Sequence, residues 1–170
     1  SYIHAVEVGE ATITVKKTSG KDYATPSVLT YNVTVAKQST TMSLSSNNGT
    51  VIPGNNITAT ITTNGDGVLS CSSSTASASC SISGTTLTIN GVTAGNAVIT
   101  VSQTAGTTHL AQSDVTYSVT VNKLTSSLSV TNNSVNLTYG GSNGENGYTY
   151  TGDGVLSCTS SDNTKVTCSV

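Results

Sequence analysis

The apolar residues of this chain fall at every second position. Ala11, Ile13 and Val15 alternate with Thr12 and Thr14, and Leu29, Tyr31, Val33 and Val35 alternate with Thr30, Asn32 and Thr34. Successive side chains on a strand point to opposite faces, so a period of two predicts half-buried strands. A turn around Ser19-Gly20-Lys21-Asp22 separates this pair, and Pro26 precedes its second strand, where a missing amide donor is harmless. The same period predicts strands near 40–45, 50–53, 56–63, 67–72, 78–83, 85–90, 96–103 and 114–122. Ile57, Ala59 and Ile61 are expected to point inward with Thr58, Thr60 and Thr62 outward, and Leu87 and Ile89 to point inward in the same way. Pro53-Gly54 and Asn64-Gly65-Asp66-Gly67 are the strongest turn signals, because Pro presets one backbone angle and Gly supplies a positive one. No stretch carries apolar residues at helical spacing, so no helix is expected.

The pattern repeats. Gly65-Asp66-Gly67-Val68-Leu69-Ser70-Cys71 returns letter for letter at residues 152–158, a shift of 87. Gly95, Ala97, Ile99 and Val101 answer Gly9, Ala11, Ile13 and Val15 at a shift of 86, and Val115, Tyr117, Val119 and Val121 answer Leu29, Tyr31, Val33 and Val35. Residues 37–122 therefore form one whole unit, 1–36 match its back portion and 123–170 its front portion. About seven strands in such a unit, with turn signals every 8 to 12 positions, is the pattern of a β-sandwich. The expected fold is all-β: one complete unit flanked by two complementary partial units, each of which would by itself expose strand edges and half a core.

The partial units depart from the whole one in places. Val6-Glu7-Val8-Gly9-Glu10 puts charge where Val92-Thr93-Ala94-Gly95-Asn96 has small residues. Gly140-Gly141-Ser142-Asn143-Gly144-Glu145-Asn146-Gly147 replaces a well-patterned strand start, so a shorter strand is expected there, with Tyr148 and Tyr150 as larger inward side chains in the places of Ile61 and Thr63. The junctions Val35-Ala36-Lys37-Gln38 and Val121-Asn122-Lys123-Leu124 lack Gly, Pro or a charged run, so one unit should pass almost directly into the next as a rod. Ser1 falls inside a folded pattern, and the sequence reads as beginning within a longer one.

Only 8% of the residues are charged, and Ser, Thr and Asn occupy the polar positions instead. A net charge of -2 supplies neither the basic stripe that nucleic acid needs nor a polybasic patch for anionic lipid, and no apolar run approaches the ~20 residues that span a bilayer. Neither nucleic acid nor membrane insertion is expected.

The four cysteines fall in two like-spaced pairs, Cys71 with Cys80 and Cys158 with Cys168. No Cys-x-x-Cys occurs, and His4 and His109 are remote in sequence, so structural disulfides are favoured over a metal or redox site. Four cysteines allow three connectivities. The local one requires least of the fold and suggests a stapled hairpin in each copy, in an oxidising, extracellular location. Asp66 and Asp153 are single acids flanked by glycines, too few oxygen ligands for calcium, and turn formation is their expected role. No cofactor or metal is expected. His109 and Asp114 stand in no nucleophile context, and no enzyme activity is expected. Asn32, Asn48, Asn56, Asn132 and Asn136 satisfy the glycosylation pattern, which a Thr-rich chain also produces by chance.

The text from Val92 to Val101, ending in Tyr117-Ser118-Val119-Thr120-Val121, together with the Gly-Asp-Gly-Val-Leu-Ser opening, resembles tandem bacterial immunoglobulin-like (Big-type) domains of surface adhesins, extracellular fibres and phage virion proteins. The resemblance implies tandem immunoglobulin-like sandwiches and a structural role in a stalk or fibre. Its partners would be flanking units or other copies of the repeat. The two complementary partial units suggest head-to-tail joining by strand complementation between neighbouring chains, the alternative being a longer polypeptide whose neighbouring residues complete both ends. Some such domains cross-link Lys to Asn beside an acid; Lys37, Lys123 and Asn32 are placed for it here, but no core carboxylate is identifiable and the cross-link is not expected. A second implied class is a glycan- or receptor-binding module, on a cell or virion surface, for which the exposed-aromatic candidates are Tyr2, Tyr23 and Tyr148.

Overall fold

The computed structural model describes residues 2–170, and among these there is no helix. The chain divides after Lys123 into two compact units, Ser1–Lys123 and Leu124–Val170.

The first unit opens with an antiparallel pair, β1 (Gly9–Val15) and β2 (Leu29–Val35), in which Gly9 lies opposite Val35 and Ile13 opposite Tyr31. Eight strands then follow: β3 (Met42–Leu44), β4 (Asn48–Val51), β5 (Asn56–Thr63), β6 (Leu69–Ser73), β7 (Ala78–Ser83), β8 (Thr86–Gly91), β9 (Gly95–Gln103) and β10 (Gln112–Val121). They build two four-stranded sheets, one ordered β4-β10-β9-β6 and the other β3-β5-β8-β7. All neighbours are antiparallel except β4 and β10, which run parallel.

Alternation decides what fills the space between the sheets. One sheet contributes Val51, Ala97, Ile99, Val101, Tyr117, Val119 and Val121, and the other Met42, Ala59, Ile61, Ala78, Leu87 and Ile89, all buried. The threonines between them, Thr58, Thr60 and Thr62 among them, face solvent. Burying this apolar set drives the fold, and the hydroxyl-bearing outer faces keep strand propensity high without adding core. The turn from β4 to β5 closes with the Asn55 amide donating to the Ile52 carbonyl at 3.1 Å. Gly54 there sits at φ +86, the conformation that the third residue of such a turn requires.

The strands that carry the cysteines do not form a hairpin. β6 ends one sheet, beside β9, and β7 ends the other, beside β8. The intervening residues 74–77 therefore cross from sheet to sheet. The staple expected within a hairpin instead links two sheets, because the inward positions on β9 and β8 give each strand a better partner than the other.

The second unit, Leu124–Val170, contains two strands, β11 (Ser127–Val130) and β12 (Tyr148–Thr151), paired antiparallel. Its pairing copies that of β3 with β5: Leu128 lies opposite Tyr150 as Met42 lies opposite Thr63, and Val130 opposite Tyr148 as Leu44 lies opposite Ile61. Residues 134–137 and 156–160, the counterparts of β4 and β6, form no strand. The reason is the pairing scheme. β4 and β6 are held by β10 and β9, whose counterparts lie in residues 1–36, whereas β3 and β5 hold each other. Tyr148 and Tyr150 are consequently exposed and stack on one another at a centroid distance of 6.2 Å, where the sequence suggested inward side chains.

Candidate functional site

Three sets of interactions fasten the complete sandwich. The first is the disulfide Cys71–Cys80, at a Cα separation of 6.3 Å; a like bridge, Cys158–Cys168 at 6.1 Å, lies in the second unit. In the complete unit Cys71 lies opposite Val101 and Cys80 opposite Ile89, so the bridge joins the sheets along one side of the core.

The second is a carboxylate knot. The turn 64–67 carries Asp66 over to the loop between β9 and β10. The Asp66 carboxylate accepts the Thr108 amide (2.8 Å), the His109 amide (3.1 Å), the Thr107 hydroxyl (2.8 Å) and the Thr108 hydroxyl (3.0 Å). Gly106 makes room for it, since a Cβ there would lie 2.0 Å from an Asp66 oxygen, and Gly67 lets the turn approach the Thr104 carbonyl. Beside it, Gln103 is buried and spans the same turn: its Oε1 accepts the Thr63 hydroxyl at 2.6 Å and its Nε2 donates to the Gly67 carbonyl at 3.1 Å. Gln103 was legible only as the fourth inward position after Ala97, Ile99 and Val101. A polar residue there signals a buried hydrogen-bond knot.

The Thr108 amide, followed by the Thr107 hydroxyl, holds the Asp66 carboxyl far below the ordinary value of 3.8. A carboxyl whose folded value is depressed stabilises the fold fully above its unfolded value and loses that contribution as the pH falls below it. Asp162 acts in the same direction in the second unit, where the Thr164 hydroxyl and amide lower its value. Thermal unfolding of the complete unit is therefore expected to shift to lower temperature on acidification below about pH 4, and Asp66→Asn to start lower and fall less steeply over that window. Parallel acid curves for the two proteins would contradict the assignment.

The third fastening ties the start of the unit to its end. Lys37 Nζ donates to the Gly106 carbonyl at 2.6 Å, the Gln38 amide to the Thr108 carbonyl at 2.9 Å, and the Leu110 amide to the Gln38 carbonyl at 2.9 Å. The buried Thr40 hydroxyl donates to the Leu110 carbonyl. Beyond these, β4 pairs with β10 in parallel from Asn48 opposite Ser118 to Val51 opposite Val121. Amides of Ser118 and Asn122 donate to the Asn47 and Val51 carbonyls, both at 2.8 Å.

The remaining candidates are scattered. Lys37 is engaged with Gly106, while Asn32 accepts the Thr12 hydroxyl at 2.9 Å, so the two do not meet for a cross-link. His109 Nδ1 lies 2.8 Å from the Thr108 hydroxyl and 3.7 Å from Asp66, so hydroxyl and carboxylate share one ring nitrogen, unlike a proton relay, which uses both. Asp114 is exposed on β10, and Asp153 is exposed. The described residues contain no cluster of three His, Cys, Asp or Glu fit to hold a metal ion. Asn32, Asn48, Asn56, Asn132 and Asn136 are all exposed, as are Tyr2, Tyr23 and Tyr139. No described helix is long and apolar enough to cross a membrane.

No family model matches the chain, and no curated protein matches it in sequence. Among solved structures it is similar to domains 4 and 5 of the S-layer protein SbsC, at 25% identity and a TM-score of 0.39, over 55% of this chain and 59% of that one. It is also similar to a structure of surface layer protein SbsC, domains 1–6, at 24% identity and a TM-score of 0.44, over 69% of this chain and 17% of that one. The chain thus spans less than two thirds of the length of either structure.

Proposed function

We propose that this chain is a structural repeat module of an extracellular fibre or cell-surface stalk, whose neighbours along the fibre are further copies of the same repeat joined head to tail. Its role is mechanical and non-catalytic. The observation that carries the reading is the parallel pairing of β4 with β10. β10 ends where the chain leaves the complete unit, and β4 follows the entry after β3 alone. A pull applied at residues 37 and 122 drags two parallel neighbours in opposite directions along their length. All the hydrogen bonds of the ladder are then loaded together, whereas an antiparallel hairpin pulled at its open end loses them one at a time.

Other features support the same reading. The repeat runs from unit to unit without a flexible spacer, and the strand order, β3-β5-β8-β7 over β4-β10-β9-β6, corresponds to the immunoglobulin-like arrangement. Two disulfides suit an oxidising, extracellular setting.

Single-molecule pulling tests the proposal. Force applied through residues 37 and 122 is expected to end in one abrupt rupture several-fold stronger than force applied through residues 51 and 122, which unzips the same ladder from one end. Equal rupture forces in the two geometries would remove the mechanical argument.

A further inference from the structure

The parallel ladder of β4 and β10 has a gap on its inner side, and one side chain fills it. Gly49 and Val51 are the inward positions of β4, lying opposite Val119 and Val121 of β10. Tyr117, the inward position of β10 that precedes Val119, reaches across the ladder and puts its phenol where a side chain at position 49 would stand. A Cβ at Gly49 would lie 2.3 Å from the Tyr117 hydroxyl and 3.0 Å from Ile57 Cδ1 of the facing sheet. Gly49 has no positive φ, so its backbone conformation does not require glycine. The residue lacks a side chain because the tyrosine passes there, and a glycine inside a strand often marks such a close approach.

The filled gap bears on the one movement that a pull favours. Gln38 already bridges to His109 in parallel before Asn48 pairs with Ser118, so the entering chain runs beside β10 in the same direction. A pull at residues 37 and 122 therefore draws β4 toward its own N-terminus and β10 toward its C-terminus. A slip of one residue would turn Thr50 inward and Val51 outward, which the core resists. A slip of two residues, about 6.6 Å, keeps every face. It lets half of the four-residue ladder pair again, Thr50 beside Ser118 and Val51 beside Val119. A ladder free to move in this way would yield in stages.

The same slip carries Val51 to the place that Gly49 leaves. Its Cβ would arrive at the point 2.3 Å from the phenol oxygen, with two methyl groups beyond it. The ring has little room to swing aside, since Tyr117 is buried under the facing sheet and Ile57 lies beside its tip.

We propose that Tyr117 and Val51 form a steric stop that forbids the two-residue slip in the direction of pull, so that the ladder keeps its register until it breaks at once; this rests on the mechanical reading above and names the residues that set it. Tyr117 is in this sense a positioning residue for β4, beyond its share of the core.

Disulfide trapping reads the slip without applied force. Asn48, Thr50 and Ser118 are all exposed. In the native register Thr50 and Ser118 are diagonal neighbours with Cα atoms about 8 Å apart, beyond the ~7 Å that a disulfide can span, and the slip brings them opposite one another. In a chain carrying Thr50→Cys and Ser118→Cys, oxidation is expected to close this bridge at least about tenfold faster once Tyr117→Leu removes the ring tip or Val51→Gly removes the shoulder, because either change relieves the overpacked contact. Ile89→Ala, which opens the core on the facing sheet and leaves the stop alone, keeps the parent rate. The pair Asn48→Cys with Ser118→Cys, opposite in the native register, shows in each background that the ladder is formed, and Val51→Gly decides the matter should Tyr117→Leu lose that native bridge. A parent that traps as fast as the two stop variants, or stop variants that trap no faster than Ile89→Ala, would overturn the proposal. Equal rupture forces in the two pulling geometries would end the fibre reading and leave the stop standing, whereas a freely slipping ladder would end the stop alone.

Discussion

Replacing Tyr117 by alanine is expected to cost the complete unit about 3–5 kcal/mol, whereas Tyr31→Ala, the same residue one repeat earlier, costs less than about 1 kcal/mol in the monomeric chain. The two tyrosines share sequence context and strand register, Tyr117 opposite Ile99 and Tyr31 opposite Ile13. What differs is the second sheet. Tyr117 is buried beneath it and its ring reaches over Gly49, while Tyr31 faces solvent on an uncovered pair. Truncating the first leaves a cavity among Val, Ile and Leu side chains that cannot collapse onto it. Truncating the second removes area that water already touches. Urea denaturation, read as a shift in midpoint at constant slope, measures both. Equal losses would mean that the first 36 residues are already covered in the single chain.

The second large effect is expected from a methyl group. Gly67→Ala places a Cβ 1.8 Å from the Thr104 carbonyl oxygen, and that contact is backbone on both sides. Neither strand end can yield without disturbing the Asp66 and Gln103 hydrogen bonds that fix the turn to the loop. A destabilisation of about 1–3 kcal/mol, at the upper end or above, follows for an insertion that side-chain movement cannot relieve. The identical motif supplies its own control. A Cβ at Gly154 meets nothing within 4 Å, so Gly154→Ala should change the unfolding of the monomer by no more than about 0.5 kcal/mol. Thermal melts of the two variants side by side decide the matter, and a tolerated Gly67→Ala would show that residues 64–67 and 104–109 are not packed as described.

Strand positions were the legible part of this fold. Threonine between Ile57, Ala59 and Ile61 leaves one burial pattern open to β5, and the observed strand, Asn56–Thr63, buries that face. Period two fixes which face is buried but not which strand lies alongside, and the cysteines show the consequence. Their nine-residue separation resembles a hairpin, yet β6 and β7 belong to different sheets because each finds a longer apolar partner in β9 and β8. The carboxylate knot was half visible. Asp66 between two glycines marked a turn, but its donors lie more than forty residues away at Thr108 and His109, and no local rule connects them. In the last 47 residues the periodic text promised more strand than forms, since periodicity records how a segment pairs when its partner is present. Only β11 and β12 carry their partner with them.

The disulfide bridge and the parallel ladder lie on opposite flanks of the complete unit, at the β6–β7 and β3–β4 margins. If the parallel ladder carries load as proposed, chemical reduction would loosen the margin with the bridge and leave the loaded one intact. Resistance to heat and to tension would then be set on different sides of the same brick, and a thiol-rich environment would soften the first without touching the second.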